Sequence, residues 1–176
     1  MTPRNRARQI SGAALALIAA FGLPACSSPT SSTTLDVSYT SSPDPAPVNA
    51  SHGVTYKVTN ADSTTSTYEY ANHTSFTVTI KNEVAIAMDI TAIDLTMQQA
   101  AGGIVITPSG GDTIYFKFNS SASGNRLSKN GTATVGFDVW YTLPNGGTEG
   151  LATVNFGYKD DNNDTYSEAA KVKVGP

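Results

Sequence analysis

Apolar residues recur at every second position through most of this chain, and no other feature constrains its fold as strongly. Phe76, Val78 and Ile80 alternate with Thr and Lys in SFTVTIKN. Ile93, Leu95 and Met97 do so in AIDLTMQ, and Ile114, Phe116 and Phe118 are set against Thr113, Tyr115 and Lys117. Val135, Phe137, Val139 and Tyr141 form one face of TVGFDVWYT. Ala152, Val154, Phe156 and Tyr158 form one face of LATVNFGYK, and Val172 and Val174 close the chain. Successive side chains of a strand point to opposite faces, so each segment has one face to bury and one to leave in water. A helix needs apolar residues every three to four positions, and beyond the first 25 residues no window of helical length supplies them. The Thr, Val, Ile and Tyr content also favours strands.

Turn chemistry falls between these runs, at Ser109-Gly110-Gly111-Asp112, Asn130-Gly131, Pro144-Asn145-Gly146-Gly147 and Asp160 to Asp164. The 176 residues suffice for one ordinary domain. Short strands separated by such turns predict an all-β fold, a single antiparallel β-sandwich of about 7–9 strands over residues 35–176. The Pro-rich stretch Ser41 to Ser51 reads as a connection inside or at the edge of this domain.

The first 25 residues follow different rules. Arg4, Arg6 and Arg8 form a positive leader, and Ile10 to Leu23 form an apolar run. A membrane-spanning helix needs about 20 apolar residues; this run is shorter and suits the core of a cleaved signal peptide. Leu23-Pro24-Ala25-Cys26 follows, and then the polar run Ser27 to Thr34. The tetrapeptide resembles a bacterial lipobox, with Leu three residues and a small residue one residue before the lipid-bearing Cys. Pro24 stands where that pattern has a small or β-branched residue. The resemblance implies cleavage before Cys26, diacylglycerol on its sulfur and acyl anchoring of the new N-terminus. Cys26 is the sole cysteine, and lipidation would remove the hazard of an unpaired thiol on an exported chain. Ser27 to Thr34, all Ser, Thr and Pro, reads as a flexible tether that sets distance from the bilayer.

The order of SFTVTIKN, a following ITAIDLTM strand and a late NFGYKDDNNDTYSEAAKVKV hairpin resembles immunoglobulin-like modules of bacterial envelope proteins. It is similar in layout to the telokin-like extracellular domains of actinobacterial lipoproteins and secreted antigens. That resemblance implies an immunoglobulin-like sandwich over residues 35–176 that binds, spaces or displays and does not catalyse. The Cys…Trp…Cys spacing of antibody domains is absent, since Trp140 is present without the two cysteines.

Charge and residue supply narrow the chemistry. The whole chain has 11 Lys+Arg against 14 Asp+Glu, which gives no basic footprint for nucleic acid. Removal of residues 1–25 leaves 8 Lys+Arg against 14 Asp+Glu, a net charge of −6. Such a surface does not seek anionic head groups, so the acyl chains must provide the hold on the membrane. One cysteine and two histidines leave little material for a zinc site or a Cys-His engine. His52 and His73 read as loop histidines facing water, and neither stands in a G-x-S-x-G setting. The carboxylates Asp89, Asp94, Asp112, Asp138 and Glu149 are scattered over strands and turns, so no catalytic pair is assigned.

Two features remain as candidate sites. Asp160, Asn162 and Asp164 have the first three spacings of a calcium loop. Thr165 and Lys171 then occupy the places of its Gly and bidentate Glu, which excludes an EF-hand. A looser calcium site there competes with a polar turn whose acids are solvated, and the turn is the expected reading. Trp140 shares a strand face with Asp138 and Thr142, opposite the apolar set, so these three are the candidate ligand contacts, suited to a sugar or a protein partner, in competition with an indole that lies flat over its neighbours on the outer sheet. Five Asn-x-Ser/Thr triplets, at Asn49, Asn72, Asn119, Asn130 and Asn163, are what Asn- and Thr-rich loops produce by chance. The expectation is thus a lipid-anchored envelope protein whose domain is a binding, adhesion or structural module, with no nucleic-acid partner and no cofactor beyond the covalent lipid. An accessory subunit presenting an edge strand, or an exported hydrolase, are the competing classes.

Overall fold

Each alternating segment forms a strand whose apolar side turns inward. A computed structural model describes residues 35–100, 102, 105–107, 113–121 and 125–176. The expected signal peptide, Cys26, the expected tether Ser27–Thr34 and the expected turn Ser109–Asp112 lie outside the described residues. The elements in order are β1 (Val37–Ser42), β2 (Asn49–Ala50), β3 (Thr55–Thr59), β4 (Thr65–Glu69), β5 (Asn72–Asn82) and β6 (Met88–Gln99). They continue with β7 (Val105–Ile106), β8 (Ile114–Ser120), β9 (Arg126–Leu127), β10 (Thr132–Tyr141), β11 (Gly150–Asp160) and β12 (Thr165–Val174). A 3-10 turn over Pro144–Gly146 joins β10 to β11. No α-helix occurs among the described residues.

Two antiparallel sheets pack face to face. The first runs β1-β5-β10-β8, and the second runs β12-β11-β6-β7. The seven long strands therefore follow the immunoglobulin constant-type order, A-B-E-D on one sheet and G-F-C on the other. The sequence pattern marked neither β1 nor the five remaining elements. Three of them (β2, β7 and β9) are two-residue pieces. The other two form the β3–β4 hairpin, whose TYKVT and TSTYE segments are mostly exposed and carry no continuous apolar face.

The first strand is split by Pro43 and Pro45, which have no N–H to give to a ladder. β1 pairs with the second half of β5 and β2 with its start. Between them Ala46 crosses to the other sheet, bridging Val174 in parallel. Its N–H donates to Lys173 O at 2.7 Å, and Gly175 N–H donates to Ala46 O at 2.9 Å.

Burial follows the alternation. Phe76, Val78, Ile80, Leu95, Met97, Val135, Phe137, Val139, Val154, Phe156, Val172 and Val174 are all buried in one cluster. Each such side chain contributes roughly 1.5–3 kcal/mol relative to exposure. Tyr39 closes the space between the sheets. Its ring stacks on Phe156 with centroids 5.6 Å apart, and its hydroxyl meets that of Tyr158 at 2.9 Å. At the corner after β10, the buried Tyr141 hydroxyl donates to Thr148 O at 2.6 Å. One inward residue departs from the pattern: Phe118 is 48% exposed. It lies on β8, the outermost strand of its sheet, which has a neighbouring strand on one side only among the described residues.

Candidate binding cleft

β5, β10 and β8 lie side by side, so their outward residues form rows across the first sheet. One row is aromatic: Trp140 is opposite His73 on one flank and opposite Tyr115 on the other. The His73 and Trp140 rings stack with centroids 4.8 Å apart, and Tyr115 and Trp140 with centroids 5.6 Å apart. Lys117 Nζ sits 5.6 Å from the Trp140 ring centre and 5.9 Å from that of Tyr115, within cation–π range. The indole thus has a ring against each face. His73 does not lie in a loop, as its sequence setting suggested. It is the second residue of β5, placed there because Asn72–Asn82 continues the ladder to Tyr141. His52 lies outside the strands and is exposed.

The other two expected contacts have local partners. Asp138 accepts a 2.6 Å hydrogen bond from Ser75 Oγ and lies 3.4 Å from His73 Nε2. Ser75 Oγ is itself 3.4 Å from the same nitrogen. In a Ser-His-Asp relay the imidazole stands between hydroxyl and carboxylate and uses both nitrogens. Here Ser75 gives its proton directly to Asp138, so the trio is a hydrogen-bonded rim. Thr142 Oγ1 accepts from Ala71 N–H at 3.0 Å and latches the end of β10 to the entry of β5.

The accessible aromatic surface lies one step further along the row. Tyr115 is 41% exposed, and it borders a cleft of about 400 Å³ with Val54, Thr55, Tyr56, Lys57 and Tyr70. That volume falls within the usual range for small-ligand sites. The opposite wall is built by the β3–β4 hairpin. Its root is fixed by Tyr70 N–H donating to Val54 O at 3.0 Å and Ser51 N–H donating to Ala71 O at 3.2 Å. Tyr56 packs on Tyr70 at 4.9 Å and on Tyr68 at 5.7 Å between ring centres. Tyr115, Tyr56, Tyr70 and Lys57 were not singled out in the sequence. The outward position of Tyr115 was readable from alternation, but its meeting with a hairpin some 50 residues earlier was not.

A larger opening of about 580 Å³ follows the seam between β1 and β12. Its lining is mostly small, with Thr40, Ser41, Ala169 and Ala170, and its one ring, Tyr39, is committed to Phe156 and Tyr158.

At the proposed calcium loop, Asp160 Oδ1 accepts from the N–H groups of Asn162 at 2.9 Å and Asp164 at 3.0 Å. Its Oδ2 accepts from Tyr166 Oη at 3.1 Å. The turn expected here had solvated acids; Asp161 and Asp164 are exposed, but Asp160 is buried because its carboxylate accepts from the turn itself and shapes the link from β11 to β12. Asp161 instead pairs with Arg126, which also holds Asp89 at 3.1 Å. These two carboxylates raise the Arg126 pKa further through hydrogen bonds, Asp161 foremost. No group of three or more His, Cys, Asp or Glu positioned for a metal occurs among the described residues.

No protein-family model matches the chain, and no curated protein matches it. Among solved structures it is similar to the secreted serine protease VesC from Vibrio cholerae, at 13% identity and a TM-score of 0.39. That match covers 58% of this chain and 19% of the protease, so the chain spans about a fifth of its length. It is also similar to the structural-genomics target SoR45, at 13% identity and a TM-score of 0.41, covering 80% of this chain and 87% of the other. A FixG-related protein from Vibrio parahaemolyticus matches at 10% identity and a TM-score of 0.31, covering 76% of this chain and 99% of the other. At these scores the likenesses carry no weight for fold or activity.

Proposed function

We propose that this chain is a lipid-anchored protein of the bacterial cell envelope, facing away from the cytoplasm, whose β-sandwich is a binding module. The observation that carries the binding role is the cleft between Tyr115 and the β3–β4 hairpin. An exposed aromatic face, two further tyrosines and a lysine converge there on one opening. Such side chains combine apolar area with polar edges and suit reversible docking. The membrane role rests on the leader, the Leu23-Pro24-Ala25-Cys26 sequence and the Ser/Thr tether. Two or three acyl chains at ~0.8 kcal/mol per buried CH₂ would hold the protein stably, where one chain holds only marginally.

Two measurements test the two halves. Full-length protein in detergent micelles should co-sediment with delipidated envelope particles, and Tyr115→Ala should lose most of that retention while keeping its melting temperature. Equal retention of both proteins would remove the cleft from the binding role. Cys26→Ala should be released from membranes or remain an uncleaved precursor, and a processed, membrane-bound mutant would refute the anchor.

A second reading, an assembly subunit, is favoured by one feature of β6. Its edge pairs with β9 at Met88 and Asp89 and with β7 at Met97 and Gln98. Between these points no strand pairs with that edge among the described residues. A shallow hollow there is bordered by Ile90, Ile93 and the exposed Phe118. An added partner strand would fit this gap.

A further inference from the structure

We propose that the cleft takes a carboxylate-bearing glycan, a polymer of the uronate class, with one pyranose ring laid on Tyr115 and its carboxylate set between Lys57 and Lys117. This rests on the binding-module reading above and names its ligand. The ring stacking follows from access. Trp140 has neighbouring rings on both flanks, whereas Tyr115 is 41% exposed and lines the cleft. The C–H face of a pyranose is apolar and slightly positive, and it complements the negative face of a tyrosine ring. The Thr55 hydroxyl in the lining can exchange hydrogen bonds with sugar hydroxyls.

Charge selects the acidic sugar. Among the described residues Lys81 and Arg126 are in ion pairs; of the lysines that are in none, Lys57 and Lys117 are the two placed at or beside Tyr115. Lys57 lines the cleft, and Lys117 is held over the Tyr115 and Trp140 rings. The acids of this face are Asp138, which is opposite Lys117 in the ladder and accepts from Ser75, and Glu69, opposite Thr55 in the hairpin. The processed chain carries a net charge of −6, so it repels a polyanion at long range. Attraction must come from the two lysines at short range and is therefore screened by salt.

Affinity electrophoresis of the full-length protein in detergent micelles, through gels containing polygalacturonate, alginate, dextran or poly-L-glutamate, tests this. Polygalacturonate or alginate should retard the protein, with the effect fading as salt rises, and dextran should not. Lys57→Gln with Lys117→Gln should weaken retardation roughly fivefold, as expected for two partly solvated ion pairs. Tyr115→Ala should remove it, and Tyr115→Phe should keep it. Equal retardation by dextran, or indifference to salt, would overturn the acidic class while leaving a binding cleft in place. Poly-L-glutamate acting as well as the uronates would overturn the sugar. Retardation by none of the four, with envelope retention still dependent on Tyr115, would overturn the glycan and leave the binding reading intact.

Discussion

Replacing Asn82 probes how the two sheets are joined at one corner. This residue is fully buried at the end of β5. Its Nδ2 donates to Ile86 O at 2.8 Å and Ser128 O at 2.9 Å, and its Oδ1 accepts from Val84 N–H at 3.0 Å. The side chain thus ties the loop after β5 to the loop before β10. A neutral buried hydrogen bond contributes about 1 kcal/mol net, so Asn82→Ala, which orphans three backbone groups, should cost about 3 kcal/mol. A fold of this size has roughly 7–20 kcal/mol in total, so the variant should fold with a clearly lowered urea midpoint. Asn82→Asp is the sharper test, because it keeps the acceptor for Val84 but aims a carboxylate at two carbonyl oxygens. Burial and those carbonyls raise the carboxyl pKa in the folded state above its unfolded value. A group shifted that way contributes stability below the unfolded pKa and loses it as pH rises through the folded one. The gap between Asn82→Asp and the original chain should therefore be smallest near pH 3 and widen toward pH 7. Urea unfolding followed by the fluorescence of Trp140, the single tryptophan, reads this directly. An Asn82→Ala cost under about 1 kcal/mol, or an Asn82→Asp deficit that ignores pH, would refute this account of the corner.

Three further outcomes follow from buried groups. Thr74 is fully buried on β5 and its Oγ1 has no hydrogen-bond partner. Thr74→Val, similar in shape and without the hydroxyl, should raise stability by about 1 kcal/mol, and a lower urea midpoint would contradict that. Burial pushes the Tyr39 pKa up to about 12 and that of Tyr158 up as well, the latter also by its hydrogen bond to Tyr39. Raised pKa values in the folded state mean full stability below the unfolded value of about 10 and a decline as pH climbs toward 12. Tyr39→Phe should decline less steeply in alkaline unfolding, and equal slopes would count against the Tyr39–Tyr158 pair. Asp160→Ala removes the acceptor for two turn N–H groups and Tyr166, at about 2 kcal/mol, with Asp160→Asn milder. Millimolar calcium should leave the melting temperature unchanged, and a calcium-dependent rise would show that the turn releases its carboxylate to a cation.

The identity and facing of the six long strands β5, β6, β8, β10, β11 and β12 were legible along the chain. Val135, Phe137, Val139 and Tyr141 are all buried, and Asp138 and Trp140 look outward, because period-two burial is a local property of sequence. The turn at Asp160 was legible for the same reason, since its acceptor and donors lie within six residues. Lone residues without a pattern were harder to place. His73 looked like a loop residue because Ala71-Asn72-His73 has no apolar partner in alternation, yet pairing with β10 draws it into β5.

What only the tertiary structure decided is which faces meet. Sequence settled that Trp140 points away from the core, but the cross-strand registers put His73 and Tyr115 against its two sides and moved the usable aromatic face to Tyr115. The hairpin between β2 and β5 then supplied Tyr56, Tyr70 and Lys57 as the opposite wall. Alternation is set by bonds between neighbours in the chain, whereas a cleft is set by which distant strands share a ladder. The first can be read from a single strand; the second exists only once the sheets have formed.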